Sequence, residues 1–188
     1  MVNIIMNHKG TETIKTDRLI LRRFKYEDYE EVYENIGCDK NVHKYIPSIP
    51  WNNPEKSREF IELNIQLYSD NLKHYFWAII YENKIVGAIS LLNVEDNDSA
   101  ELGYCLGSQW WDNGIISEAA RAVLSYAFKT VGFHRIYATC HVDNLASKGV
   151  LKKVGMSYEG RLRDGQKNPD DSYSDLDLYS ILENELNE

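Results

Sequence analysis

The segment Trp110–Ala120 reads W-W-D-N-G-I-I-S-E-A-A and could hold an anion. A short polar loop there runs straight into a helix with a strong apolar pattern. The first turn of such a helix leaves backbone N–H groups unpaired, and the helix dipole adds positive potential. Gly114 lets a ligand approach the backbone closely, and Ser117 can add a hydroxyl donor. Together they make a phosphate or pyrophosphate cradle, although many ordinary helices open in the same way. The pattern is not a G-x-x-x-x-G-K-[ST] loop, since no Lys follows the glycine, and it is not a G-x-G-x-x-G turn. Metal and thiol chemistry find less support. Cys38, Cys105 and Cys140 form no C-x-x-C pair, so neither a zinc site nor a disulfide framework is expected. Cys105 and Cys140 fall in strands with no His close by on the same face. His134 opens a strand and reads as structural. His141 ends that strand beside Asp143 and Asn144 and is either a base or a packing residue.

The elements that must position this loop are legible from periodicity. Asp17–Phe24 alternates apolar and charged residues, as a strand does, and a short acidic helix follows over Tyr26–Ile36. Pro47 and Pro50 mark a loop over His43–Asn53. Asn53, Pro54 and Glu55 then read as an N-cap, a first-position proline and a first-turn acid, opening a helix to about Asp70. Tyr75–Glu82 and Ile85–Leu92 are strands separated by little more than Asn83, a hairpin. Ala100–Leu106 alternates again, with Leu102, Tyr104 and Leu106 on one face and Glu101, Gly103 and Cys105 on the other. Gly114–Val131 is the clearest helix, closed by Gly132. His134–Val142 is a strand, Leu145–Val154 a short helix capped by Asn144, and two strands near Ser157–Arg163 and Ser172–Leu182 complete the chain. This order gives an α/β (α+β) domain with a mixed sheet.

Composition narrows the function classes. A chain of 188 residues reads as a single domain over residues 1–188, with 1–13 expected to be frayed. It is long enough to bury about 70% of its unfolded surface without staples. The net charge of −8 disfavours nucleic acid as a partner. No apolar run is long enough to span a membrane, and the opening M-V-N-I-I-M-N-H-K-G does not read as a secretory signal. The unpaired cysteine count fits a reducing, cytoplasmic setting. From Asp164 onward eight carboxylates face one base, Lys167. This is either a solvated segment or a surface turned toward a cationic substrate.

Three blocks stand in order: A-E-L-G-Y-C-L at 100–106, W-D-N-G-I-I-S-E-A at 111–119, and D-N-L-A-S-K-G-V-L-K-K-V-G-M at 143–156. With T-D-R-L-I-L-R at 16–22 they resemble the GCN5-related N-acetyltransferase (GNAT) superfamily over about residues 14–182. The branch resembled includes the RimJ- and RimL-type ribosomal-protein N-terminal acetyltransferases. The resemblance implies a mixed, mostly antiparallel sheet of about six to seven strands flanked by about four helices. It implies acetyl-CoA as co-substrate and no metal.

Site roles follow residue by residue from the same resemblance. The family's Q/R-x-x-G-x-G/A signature falls on Trp111, Asp112, Asn113, Gly114, Ile115 and Ile116, whose amides would hold the pyrophosphate, with Ser117 beside them. Gly114 alone matches strictly. Trp111 replaces the Gln or Arg, and Ile116 the second small residue, pointing either at the phosphates or into the core. The strand from Gly103 would pair with the pantetheine arm, and the amide of Cys105 or Leu106 would meet the oxyanion. Such a donor contributes roughly 10²–10³ in rate elsewhere. Asn144 and Ser147 match an N-x-x-S pattern. Asn144 would bond the cofactor arm or order a water, and Ser147 would protonate the departing thiolate. Each also has a plain reading, as a helix cap and a first-turn residue. The family's frequent tyrosine acid would fall at Leu151 and is absent. A carboxylate or a water chain would deprotonate the acceptor amine; Glu101 is the best-placed carboxylate, or else a structural or substrate-binding acid. Glu118 fits better as a dipole partner, and Trp51, Trp110 and Tyr45 either line an acceptor pocket or fill the core.

The expected activity is direct acetyl transfer to a primary amine, either a protein N-terminal α-amine or a small cationic amine. A coenzyme A-binding sensor or interaction domain with little catalysis is the alternative. A nucleotide-binding domain rests on the cradle alone. A monomer and a homodimer are equally compatible with the sequence.

Overall fold

The computed structural model describes residues 6–95 and 98–186, the side chain of Glu95 excepted. Eight strands form one sheet: β1 (Ile14–Lys15), β2 (Leu19–Arg22), β3 (Tyr75–Tyr81), β4 (Lys84–Glu95), β5 (Ser99–Leu106), β6 (Arg135–His141), β7 (Ser157–Lys167) and β8 (Tyr173–Leu182). Their order is β1-β2-β3-β4-β5-β6-β8-β7. Every neighbouring pair is antiparallel except β5 with β6. Four α-helices accompany them: α1 (Tyr29–Val32), α2 (Glu55–Asp70), α3 (Ile115–Tyr126) and α4 (Leu145–Lys153). The mixed, mostly antiparallel α+β architecture is the one expected, with β1 as the strand not foreseen. Two residues are too few to show a period.

The helices form two layers, one on each face of the sheet. Apolar residues of α3, including Ile115, Ala119, Val123 and Leu124, pack on Trp77, Ile89, Leu102 and Ile136. The opposite face packs Ala78, Ile85 and Ala88 under Val32 and Ile61. Strand alternation thus sends Leu102, Tyr104 and Leu106 toward α3, and Cys105 toward the α1/α2 layer.

Local chemistry explains most boundaries. The β3–β4 hairpin turns on Glu82 and Asn83, both with positive φ (49° and 61°), as a tight hairpin turn demands. Helix α3 passes through a wider turn at Ala127–Val131 and ends on Gly132, whose φ of 90° closes it. One expectation needs correction. Asn53 does not cap α2. Pro54 holds the cap position, and the Asn53 amide donates to Asn52 instead. Of the segment expected to be frayed, residues 1–5 lie outside the described residues, but the stretch after them is tied down. Asn7 N donates to Val131 O at 2.9 Å, Thr11 Oγ1 to His74 O at 3.0 Å, and Trp77 Nε1 to Glu12 O at 2.7 Å. The sequence pattern does not reveal these anchors, because the segment contributes one backbone N–H, one hydroxyl and one backbone carbonyl.

Candidate active site

β5 and β6 run side by side for three residues, Ser99–Glu101 against Arg135–Tyr137, and then part. Beyond Glu101 the edge of β5 is open to a cleft. Which backbone groups face it follows from alternation. Gly107 N donates to Val86 O at 2.9 Å, and a side chain at Gly87 would collide with Cys105 O. The odd-numbered residues of β5 therefore spend their backbone groups on β4. On the other edge, Asp98 O accepts from His134 N at 2.9 Å. Tyr104 and Leu106 thus turn their N–H and C=O toward the cleft. Leu106 O is taken by Trp111 Nε1 at 2.8 Å. This separates two residues the sequence left equal: Leu106 offers its amide to the cleft, whereas Cys105 is committed to β4. Burial also pushes the Cys105 thiol up to about 11, so it carries no thiolate near neutral pH.

The loop that follows leads directly into the cradle. Asp112 and Gly114 both have positive φ (61° and 72°), which turns the chain so that α3 opens at Gly114. The first intrahelical donor is Glu118 N, to Gly114 O at 3.1 Å, so the amides of Ile115, Ile116 and Ser117 precede the helical ladder. The Ile115, Ile116 and Ser117 residues are only 1%, 6% and 4% exposed. Ile116 is therefore turned into the core and does not crowd the amides. Asn113 braces the loop through Nδ2 to Trp110 O and Trp111 O, and half-exposed Trp111 forms its rim.

A clamp absent from the sequence reading fixes this loop from outside. Glu118 accepts from Thr16 Oγ1 (2.6 Å), Arg18 N (3.1 Å) and Arg18 Nε (2.7 Å), while Arg18 Nη1 reaches Asn113 O at 3.2 Å. Burial alone would raise the Glu118 carboxyl, but these donors outweigh it and hold it below the usual range. Glu118 is thus a tether between the β1–β2 turn and α3 as well as a first-turn acid.

Helix α4 brings up the opposite wall. Asn144 Oδ1 accepts from Ser147 N at 3.1 Å, the capping bond its position suggested. Replacing Asn144 with Ala should cost about 1 kcal/mol. A melting curve is expected to fall by about 2–4 °C, and an unchanged midpoint would show that the cap carries no stability. Ser147 Oγ lies 2.8 Å from Tyr104 OH. Leu151 is fully buried and lies in the core.

Glu101 sits where the strands part, on the face turned toward α1 and α2. Its two oxygens accept from Thr139 Oγ1 at 2.7 Å and Asn93 Nδ2 at 2.8 Å. Two residues beyond Thr139 on the same face, His141 packs at a tilt against Tyr45 (5.2 Å between rings) and takes the Asp143 N–H on Nδ1 at 3.1 Å. His141 also lines a hollow of about 400 Å³ with His43, Ile46, Gln166, Asp170 and Ser174. An adjoining hollow of about 790 Å³ is walled by Pro47, Ile49, Trp51, Lys167, Pro169 and Asp171. The trough thus lies between the proline-rich 43–52 loop and the β7–β8 hairpin. Trp51 belongs to it. Trp110 instead packs against the main core. His43, Asn93, Arg18, Tyr104 and Thr139 were not singled out by sequence. Only the alternation of Tyr104 toward α3 was visible there.

Residues 18–157 match the acetyltransferase (GNAT) domain family, and the chain belongs to it. It is an acetyl-CoA-dependent N-acetyltransferase acting on an amine. The uncharacterized N-acetyltransferase YnaD of Bacillus subtilis (strain 168) is 34% identical over 93% of this chain and 99% of its own. The crystal structure of a GNAT-family acetyltransferase from Bacillus anthracis superposes with a TM-score of 0.80 at 33% identity, over 93% of this chain and 100% of that one. The ribosomal-protein-serine acetyltransferase of Escherichia coli (strain K12) is 29% identical over 92% of this chain and 97% of its own. Among the described residues no group of three or more potential metal ligands occurs, and no helix is long and apolar enough to cross a membrane.

Proposed function

We propose that the cleft and the trough are the two halves of one transfer site, with donor and acceptor meeting at Glu101. The observation that carries this is the position of Glu101. It stands on the strand whose open edge offers the Leu106 amide, and its Thr139 partner shares a face with trough-lining His141. Acetyl-CoA supplies an activated acetyl group as a thioester. The residues for holding it fit. The amides of Ile115, Ile116 and Ser117 receive the pyrophosphate, and a Cβ at Gly114 would meet only Arg18 Nη2, at 3.8 Å, so the approach is open. Trp111, Asp112 and Asn113 shape the loop, and Asn144 borders the arm. Glu101 takes the proton that the acceptor ammonium must lose, directly or through one water. Leu106 N–H faces the charge that develops on the carbonyl oxygen. Ser147 directs its hydroxyl hydrogen at the departing sulfur.

For the acceptor we propose a protein N-terminal α-amine or a small cationic amine, in keeping with the RimJ/RimL-type branch. The similarity to the ribosomal-protein-serine acetyltransferase supports the first. The placement of Asp170 and Asp171 on the trough supports the second equally. Lys167 already pairs with Asp171 at 2.6 Å, which tempers the local negative field. Converting both aspartates to Lys should raise KM about tenfold for a lysine-rich peptide with a free N-terminal serine, an effect that fades with added salt. An unchanged KM at low salt would leave these acids as a solvated hairpin tip.

A further inference from the structure

The contact between Tyr104 and Ser147 has no place in the roles assigned so far. Tyr104 comes from β5 and Ser147 from α4, so the two walls of the cleft meet at this hydrogen bond. Tyr104 OH lies 2.8 Å from Ser147 Oγ and 3.3 Å from Ser147 O. Burial raises the phenol well above its ordinary range, with the bond to Ser147 opposing the shift only in part. The phenol therefore keeps its hydrogen, which can go to Ser147 Oγ or to Ser147 O, and either oxygen of the 2.8 Å pair can be its donor. The Cys140 thiol borders the same hydroxyl and is also raised by burial, so it stays protonated.

A serine hydroxyl has one hydrogen and two lone pairs. Left alone, the Ser147 hydrogen rotates among whatever acceptors it finds. We infer that Tyr104 is a positioning residue for the leaving thiol: its O–H occupies a lone pair of Ser147 Oγ and so aims the Ser147 hydrogen into the cleft. The inference rests on the proposed role of Ser147. When the carbon–sulfur bond breaks, its electron pair stays on sulfur. The hydrogen bond from Ser147 stabilises that charge until water supplies a proton, which balances the one the amine has passed to Glu101. Tyr104 gives up no proton, in keeping with its raised phenol. Such a chain polarises each member and strengthens the terminal donor.

The experiment uses free coenzyme A as the probe and needs no acceptor. The thiol of bound coenzyme A is titrated by its ultraviolet thiolate absorbance, with the desulfo analogue bound to the same protein as the blank for Cys38, Cys105 and Cys140. In the wild type the bound thiol should titrate below the free one. Ser147→Ala should raise it by about one pH unit, the size of one hydrogen bond to a charged group. Tyr104→Phe should raise it by about half a unit, and the double variant should go no higher than Ser147→Ala alone. Melting curves and coenzyme A affinity are recorded for each variant. Tyr104→Met removes the same hydroxyl with different packing and should shift the thiol equally, which serves if the Phe variant folds poorly. A shift for Ser147→Ala with none for Tyr104→Phe or Tyr104→Met overturns the inference and leaves the Ser147 role standing. Additive shifts in the double variant overturn it too, since Tyr104 would then act independently. No shift for Ser147→Ala removes both.

Discussion

Calorimetric titration of Gly114→Asp with acetyl-CoA is expected to show binding at least about a hundredfold weaker than wild type, or close to 2.8 kcal/mol. Two effects act together. The new carboxylate sits among the amides that would receive the pyrophosphate, so it both fills the cradle and repels its guest. The fold should survive. Gly114 has φ of 72°, where a side chain costs about 1–2 kcal/mol, but Asp is among the residues that visit this region most readily. The nearest atom to an added Cβ is Arg18 Nη2, a cation at a flexible chain end. A melting midpoint within a few degrees of wild type therefore accompanies the loss. Undiminished affinity in a folded variant would place the phosphates elsewhere and empty the cradle of its role.

Glu101→Gln should lower kcat about a hundredfold while acetyl-CoA affinity stays within about twofold of wild type, the lower range for a positioned base. The substitution keeps size and hydrogen-bonding capacity and removes the charge and the basicity. Its amide NH₂ would face Thr139 Oγ1 or Asn93 Nδ2, both donors to Glu101 in the wild type. The threonine hydroxyl can turn and accept, and exposed Asn93 can turn to water, so the loss of stability should be small. The pH profile supplies the sharper test. Turnover equal to wild type over about pH 6–9 would remove Glu101 from the proton path. A loss at every pH with a collapsed melting curve would make it a structural acid.

The sequence revealed the fold well because the site is built from regular elements. The hairpin of β3 and β4, the apolar period of α3 and the cap at Asn144 are local features, each set by a few neighbouring residues. Gly114 was visible for the same reason, since a left-handed position before a helix writes itself as glycine. The cleft was less visible. Nothing local in A-E-L-G-Y-C-L tells which of its amides is left without a strand partner. That depends on β6 departing after Tyr137, far along the chain. The Arg18–Glu118 clamp and the Tyr104–Ser147 bond each join residues 43 or more positions apart. Their residue types carry no periodic signature. Ile116 stood between two readings until the start of α3 was fixed, because a rotation of one residue would have turned it from core to cradle.

The three register pairs between β5 and β6 also make a seam. On one side lie β1–β5 and on the other β6–β8, joined covalently through α3 and laterally by those few rungs and the helices laid across them. A ligand gripping both walls closes that seam as a clasp would. The folded state is then coupled to metabolite supply: donor at a hundred times its dissociation constant adds about 2.7 kcal/mol to stability. The whole margin of a typical domain against unfolding is only about 5–15 kcal/mol, so this is a sizeable share of it. Donor binding across the seam therefore adds to the stability of the folded chain by an amount that grows with how far the donor exceeds its dissociation constant.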